Sequence, residues 1–230
     1  MFEATKTRML RGDAFARRYF SGAVLDIGCG PDVVVPAARP FDLEHGDANR
    51  ILDFLPPESF DCVHSSHCLE HMFDPTRALE QWWALVRPGG FLIVVVPEED
   101  LYEQGVWPSH FNSDHKATFR LDRPTSWSPV SYDIRALANA LPHSSIVECA
   151  VQDQAYDRRL MRNTSMDRKK FLLKIGTRRE VVFRAMMKQG LPVYRLSRLL
   201  DGFEHMLGKP VDQTLGDALA QIQVIVQKVP

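Results

Sequence analysis

Short apolar runs alternate with amphipathic stretches along this chain, and each kind of run predicts an element. "AVLDIG" (23–28) reads as a buried strand closed by glycine, "PFDLE" (40–44) as a second short strand, and "SFDCVHSS" (59–66) as a third, apolar at Phe60, Cys62 and Val63. "PTRALEQWWALVRPGG" (75–90) predicts a helix: Pro75 suits its first turn, Ala78, Leu79, Trp82, Trp83 and Val86 make the buried stripe, and Pro88-Gly89-Gly90 ends it. "FLIVVVP" (91–97) is the run of a strand covered on both faces. "SYDIRALANALP" (131–142) predicts a helix and "SIVECAVQD" (145–153) a strand. "LAQIQVIVQKV" (219–229) alternates Ile222, Val224 and Val226 with Gln221, Gln223 and Gln227, which predicts a half-exposed strand. Residues 1–21 read as one amphipathic helix. Between "AVLDIG" and "PFDLE", Pro31, Pro36 and Pro40 leave room only for a turn or half-helix. Strands alternating with helices imply an α/β fold with a mostly parallel sheet.

Composition narrows the class. The 230 residues carry 28 basic and 29 acidic side chains, a formal net charge of -1, so no polyanion-binding surface and no nucleic-acid partner are expected. The longest apolar run, Phe91 to Val96, is far too short to span a bilayer. The four cysteines, Cys29, Cys62, Cys68 and Cys149, have no paired spacing. Reduced thiols in a cytoplasmic protein that engages no membrane are the expectation.

The candidate chemistry starts at "VLDIGCGPD". Gly28-Cys29-Gly30 supplies two glycines of a dinucleotide fingerprint, but Val33 stands where the third would be, and Asp42 follows Gly30 too soon for a dinucleotide's ribose acid. Asp26, beside the glycine turn, suits an ammonium group and would repel a pyrophosphate. Asp42 at the next strand end suits a ribose diol, and Asp47-Ala48 an adenine edge. An acid for an ammonium, one for a ribose and one for an adenine describe a nucleoside carrying an amino acid, as S-adenosylmethionine is.

At these residues the chain resembles the class I S-adenosylmethionine-dependent methyltransferases. "VLDIGCGPD" is similar to their first motif, "FDLE" to their acidic second-strand end, "SFDCVHSSHCLEHM" to their fourth strand and the helix start after it, and "LVRPGGFLIVVVP" to the helix end, turn and fifth strand. The resemblance implies a Rossmann-like fold with an antiparallel last strand. It implies one domain over 1–230: an N-terminal helix (1–21), a cofactor-binding core (22–156), a helical insertion (157–215) and a closing strand (216–230). It implies S-adenosylmethionine as cofactor and S-adenosylhomocysteine as product. Asp26, Gly28, Cys29 and Gly30 would line the methionine end, Asp42 and Leu43 the ribose and adenine, Asp47 and Ala48 the adenine edge, and Ser65, Ser66 and His67 the end of the fourth strand. Asp32 departs from the pattern, standing where many relatives have a third glycine.

"CVHSSHCLEHM" packs Cys62, His64, His67, Cys68, Glu70 and His71 together. Zinc on His67 and His71, four apart on a helix face, is one reading, and magnesium another. Because the stretch runs from strand end to helix start, its side chains diverge and no metal site is expected. The polar, aromatic segment after Pro97 supplies the substrate side. His115 is the first candidate for general base, with Asp114 orienting it, and His67 the second. The expected function is methyl transfer to a hydroxyl or amine of a small metabolite, a sugar or nucleotide-sugar among the candidates. Its alternatives are a nicotinamide-dependent oxidoreductase and a non-catalytic S-adenosylmethionine-binding partner protein. Methionine and phenylalanine residues of the helical insertion suit core or homodimer contacts.

Overall fold

A computed structural model describes residues 3–189 and 191–229. Its centre is a six-stranded sheet in the order β2-β1-β3-β4-β8-β7, formed by β1 (Val24–Ile27), β2 (Arg39–Phe41), β3 (Phe60–Ser66), β4 (Val86–Pro97), β7 (Ser144–Gln152) and β8 (Gln221–Lys228). The first four are parallel, and β8 runs antiparallel to both β4 and β7. A small parallel pair, β5 (Thr118–Arg120) with β6 (Ser131–Asp133), stands beside it. The strands that the resemblance counts fourth and fifth are third and fourth here, so one family strand has no counterpart among the described residues.

One face of the sheet is covered by α3 (Pro75–Ala84) and α5 (Ile134–Ala140), which bury Leu79, Trp82 and Ile134 against Leu25, Val63, Leu92 and Val224. Asp74 caps α3 by accepting from the Arg77 amide at 3.1 Å. The other face has no crossover helix, because the proline-spaced loop after β1 forms only turns. The N-terminal segment takes that place. Tyr19 packs with Val24, Val34, Cys62, Ile93 and Ile225, with Phe15 and Phe20 against them.

Several expectations change. The N-terminal helix is two, α1 (Glu3–Leu10) and α2 (Asp13–Tyr19), broken where Gly12 is extended and Arg11 turns toward the sheet; residues 1 and 2 lie outside the described residues. Of the turn or half-helix expected after β1, the segment forms turns. The second strand stops at Phe41, leaving Asp42 and Leu43 in the following turn. Val86 belongs to no helix stripe; it opens β4 opposite Phe60. The stretch 131–133 is β6, and Asp133 caps α5. The last strand is interior, with Gln221 and Gln223 at 0% and 2% exposure, because β7 pairs along its outer edge.

The loop after β4 contains α4 (Glu99–Tyr102). In the C-terminal helical segment, α6 (Met166–Lys188) pairs with α7 (Tyr194–Met206), through Arg179 with Asp201 and Glu204, and leaves Phe171, Val181, Leu199, Phe203 and Met206 exposed. No described helix is long and apolar enough to cross a membrane, and the four cysteines are unbridged.

Candidate functional site

A cavity of about 490 Å³ opens at the C-terminal ends of β1, β2 and β3, where ligands of open α/β sheets gather. Of the expected cofactor residues, Gly28, Asp42, Leu43, Asp47, Ala48 and His67 line it. Asp42 accepts from the Gly30 amide (Oδ2, 2.7 Å) and the Leu43 amide (Oδ1, 2.7 Å), which fixes its carboxylate at the pocket mouth. Leu43 and Phe73 project into solvent at 90% and 81% exposure as apolar walls, with the Lys116 ammonium 5.1 Å from the Phe73 ring centre. Asp47 Oδ1 accepts from the Asn49 amide and side chain, and these donors hold its carboxyl below the ordinary range. Ala48 is pinned through its carbonyl, which accepts from the Trp82 indole at 2.9 Å.

The two glycines are needed for different reasons. Both have positive φ, +70° at Gly28 and +52° at Gly30, which side chains rarely adopt. At Gly28 a Cβ would also meet the Cys68 side chain at 2.6 Å, so close packing demands it. At Gly30 a Cβ would meet nothing, so the space beside it stays open.

Asp26, expected at an ammonium group, does not reach the pocket. It is 2% exposed, and both oxygens are committed inside the protein. Oδ2 accepts from the Val34 amide at 2.6 Å and Oδ1 from His64 Nδ1 at 2.7 Å. Burial depresses the His64 pKa, so the ring is neutral, and its Nε2 accepts from Arg11 Nη1 at 3.0 Å. Arg11 donates onward to Gln223 Oε1 (2.6 Å), and Gln223 to Glu148 Oε1 (2.9 Å). Burial lowers Arg11 to about 10. This chain of bonds fastens the N-terminal helices to the sheet and occupies both Asp26 oxygens away from the pocket lining. Asp32 has a similar one, taking Arg8 of α1 at 3.0 Å.

Cys29, Gly30, Ser65, Ser66 and His115 also lie outside the pocket lining. Burial, then Asp26 and Asp42, push the Cys29 thiol up and keep it protonated. Ser65 is fully buried and donates to the Ile27 carbonyl at 3.1 Å, while the buried Ser66 hydroxyl has no partner.

The inner wall is built of histidines. His67 and His71 share no helix face, since His67 has φ +54° and only a 3₁₀ turn, Leu69–His71, follows it. Both line the pocket with Asp114 and Lys116. Gln221 donates from Nε2 to Thr7 and Gln152, so its Oε1 accepts from His67 Nε2 at 2.9 Å. His71 Nδ1 donates to Asp114 Oδ2 at 2.9 Å, and Lys116 then His71 hold the Asp114 carboxyl below its ordinary range. His115 stands behind His71, ring centroids 5.0 Å apart, and donates from Nδ1 to Glu103 Oε1 at 2.8 Å. Glu70, at 1% exposure, faces His67 Nδ1 at 3.6 Å and His115 Nε2 at 3.9 Å. Burial works against its ionisation, but His67, His115 and His71 outweigh that and hold its carboxyl below the ordinary range.

The structure thus adds Phe41, Asn49, His71, Phe73 and Lys116 to the pocket and Glu70 and Glu103 behind it. The ligand-dense run at 62–71 signals His71 and Glu70. Nothing in the spacing signals Phe73 or Glu103. A second cavity of about 440 Å³, lined in part by Trp127, Met161, Met166, Lys169 and Lys209, shares no lining residue with the first.

A family model described as a methyltransferase domain matches residues 8–171. No functionally curated protein matches the chain. Among solved structures, a SAM-dependent methyltransferase from Archaeoglobus fulgidus is similar at 16% identity and TM-score 0.50, over 98% of this chain and 94% of that one. The YcgJ protein of Bacillus subtilis matches at 12% identity and TM-score 0.47, over 90% and 92%. Phosphoethanolamine N-methyltransferase 2 of Haemonchus contortus, held with phosphomonomethylethanolamine and S-adenosylhomocysteine, matches at 15% identity and TM-score 0.45, over 97% of this chain and 53% of that one.

Proposed function

Because the chain belongs to the methyltransferase-domain family, we propose that it transfers a methyl group from S-adenosylmethionine to a hydroxyl or amine of a small metabolite, with sugars and nucleotide-sugars among the acceptors to try. The observation that carries this reading is the pocket mouth: a fixed Asp42 carboxylate between exposed apolar walls, Leu43 and Phe73, beside an open Gly30. A carboxylate suits a ribose diol, and apolar walls suit the faces of a purine. Asp47 and Ala48 border the same space. With Asp26 withdrawn, the ammonium end falls to the Gly28–Gly30 backbone.

When bound, the cofactor supplies an electrophilic sulfonium methyl; the protein's task is to align the acceptor and take its proton. His67 is the proton acceptor in this reading. Its Nε2 donates to Gln221 Oε1, and its Nδ1 faces Glu70 at 3.6 Å, a carboxylate that would stabilise the ring once it has taken the proton. Asp114, exposed and steadied by His71 and Lys116, orients the acceptor by accepting its hydrogen bonds. His115 lies too deep to touch the acceptor and positions His71. The exposed apolar side chains of α6 and α7 support self-association, which sedimentation would measure, and the unbridged cysteines suit a cytoplasmic setting.

Calorimetric titration with S-adenosylmethionine, S-adenosylhomocysteine and NAD tests the cofactor. The first two should bind with micromolar affinity, and Asp42→Ala should weaken them at least ~30-fold, about 2 kcal/mol for a lost charged hydrogen-bond pair. Binding of NAD alone overturns the reading. Cofactor binding with no turnover in any acceptor screen would favour a non-catalytic partner protein.

A further inference from the structure

We propose that Glu70, His71 and His115 bind one divalent transition-metal ion, of the zinc, manganese or iron(II) type, in the inner wall of the cofactor pocket. One ligand atom from each of the three lies within 4.8 Å of the others. Glu70 is 1% exposed, and both its carboxylate oxygens are buried without a hydrogen-bond partner. Glu103, 2% exposed, has one oxygen in the same state, and among the described residues neither acid has an arginine or lysine within ion-pair distance. Three buried carboxylate oxygens without a hydrogen-bond donor are acceptors that a bound cation would satisfy.

The spacing fits the same occupant. Glu70 Oε1 stands 3.9 Å from His115 Nε2, too far for a hydrogen bond. Ligand atoms about 2.1 Å from a tetrahedral ion lie about 3.4 Å apart, so a gap of this size closes around an ion with small movements. Both histidines are already oriented as ligands. His115 donates from Nδ1 to Glu103 (2.8 Å) and His71 from Nδ1 to Asp114 (2.9 Å), which leaves the second ring nitrogen of each for an ion. A carboxylate behind each ligating imidazole is the usual outer shell of such a site. Two imidazoles and one carboxylate favour zinc, manganese or iron(II) over magnesium or calcium, which prefer oxygen. Three protein ligands leave coordination positions for water or, if the pocket is a methyl-transfer site as proposed above, for an acceptor oxygen; binding of the ion itself does not rest on that reading.

The test uses the untagged full chain, stripped with a chelator and titrated with Co²⁺ by visible absorption, then with Zn²⁺ in competition. One equivalent should bind, with the d–d bands of nitrogen and oxygen ligands. Glu70→Gln and His115→Ala should each weaken binding at least ~100-fold, and Glu103→Gln roughly 10- to 100-fold. His143→Ala, at an exposed histidine elsewhere, should leave it unchanged. Circular dichroism checks each variant, and His71→Ala, at a partly exposed position, serves if a deeper one fails to fold. No metal uptake, or uptake indifferent to all three ligands, overturns the proposal. Titration of stripped protein with S-adenosylhomocysteine separates the two readings: its binding without metal uptake sinks only the ion, and metal uptake without its binding sinks only the cofactor assignment.

Discussion

Two buried acid–histidine clusters flank the glycine turn, and they are built to opposite plans. Around Asp26, every partner is in place: Val34, His64, Arg11, Gln223 and Glu148 bond in series under the N-terminal helices. Around Glu70, both oxygens and one of Glu103 are unmatched. A fully satisfied buried network rigidifies a fold, whereas an unsatisfied one needs a compensating partner. The difference teaches that the acid nearest the glycine motif holds the structure together, while the acid beside the histidines points to chemistry.

Removing Asp26 should produce the largest effect. Asp26→Ala strands the Val34 amide, the His64 Nδ1–H and a buried Arg11, and should cost about 3–5 kcal/mol of stability by urea unfolding. A loss under about 1 kcal/mol would break the comparison. A third cluster supplies an intermediate case. Glu98, Glu99 and Asp100 share Arg123, and burial lifts Glu98 to about 7. An acid whose folded pKa lies above its unfolded one near 4.5 binds protons more tightly when folded. Stability should therefore fall as pH rises from about 4.5 to 7, on the order of 3 kcal/mol, and Glu98→Gln should flatten that slope across a pH series of urea midpoints. The smallest change belongs to Glu70. In stripped protein, Glu70→Gln replaces a carboxylate whose oxygens make no hydrogen bond and should leave stability within about 1 kcal/mol of the parent. A loss above about 2 kcal/mol would make this cluster structural like the first.

The local signals were legible wherever an element rests on its own pattern. The glycine turn, α3 with its tryptophan stripe, the apolar run of β4 and a mostly parallel sheet all follow from spacing. Asp42 and Leu43 reach the pocket because the end of β2 carries them there, and Asp47 and Ala48 because they open the 3₁₀ turn that follows, held by Asn49 and Trp82. The burial of Asp26 behind the pocket is not legible locally, because it depends on His64, Arg11 and Gln223, which only folding brings together. The alternation of Gln221 and Gln223 suggested solvent, but their amides bond to Thr7, Gln152, His67, Arg11 and Glu148 in the interior.

Chain pattern alone therefore determined an α/β sheet, a nucleotide-type turn and an acid at the second strand's end, since hydrophobic periodicity and glycine's backbone freedom act over a few residues. Tertiary structure alone decided which acid serves the fold and which faces the histidines. Hydrogen-bond satisfaction is settled between residues far apart in the chain, where His115 and Glu103 from the loop after β4 close on Glu70 from the end of β3.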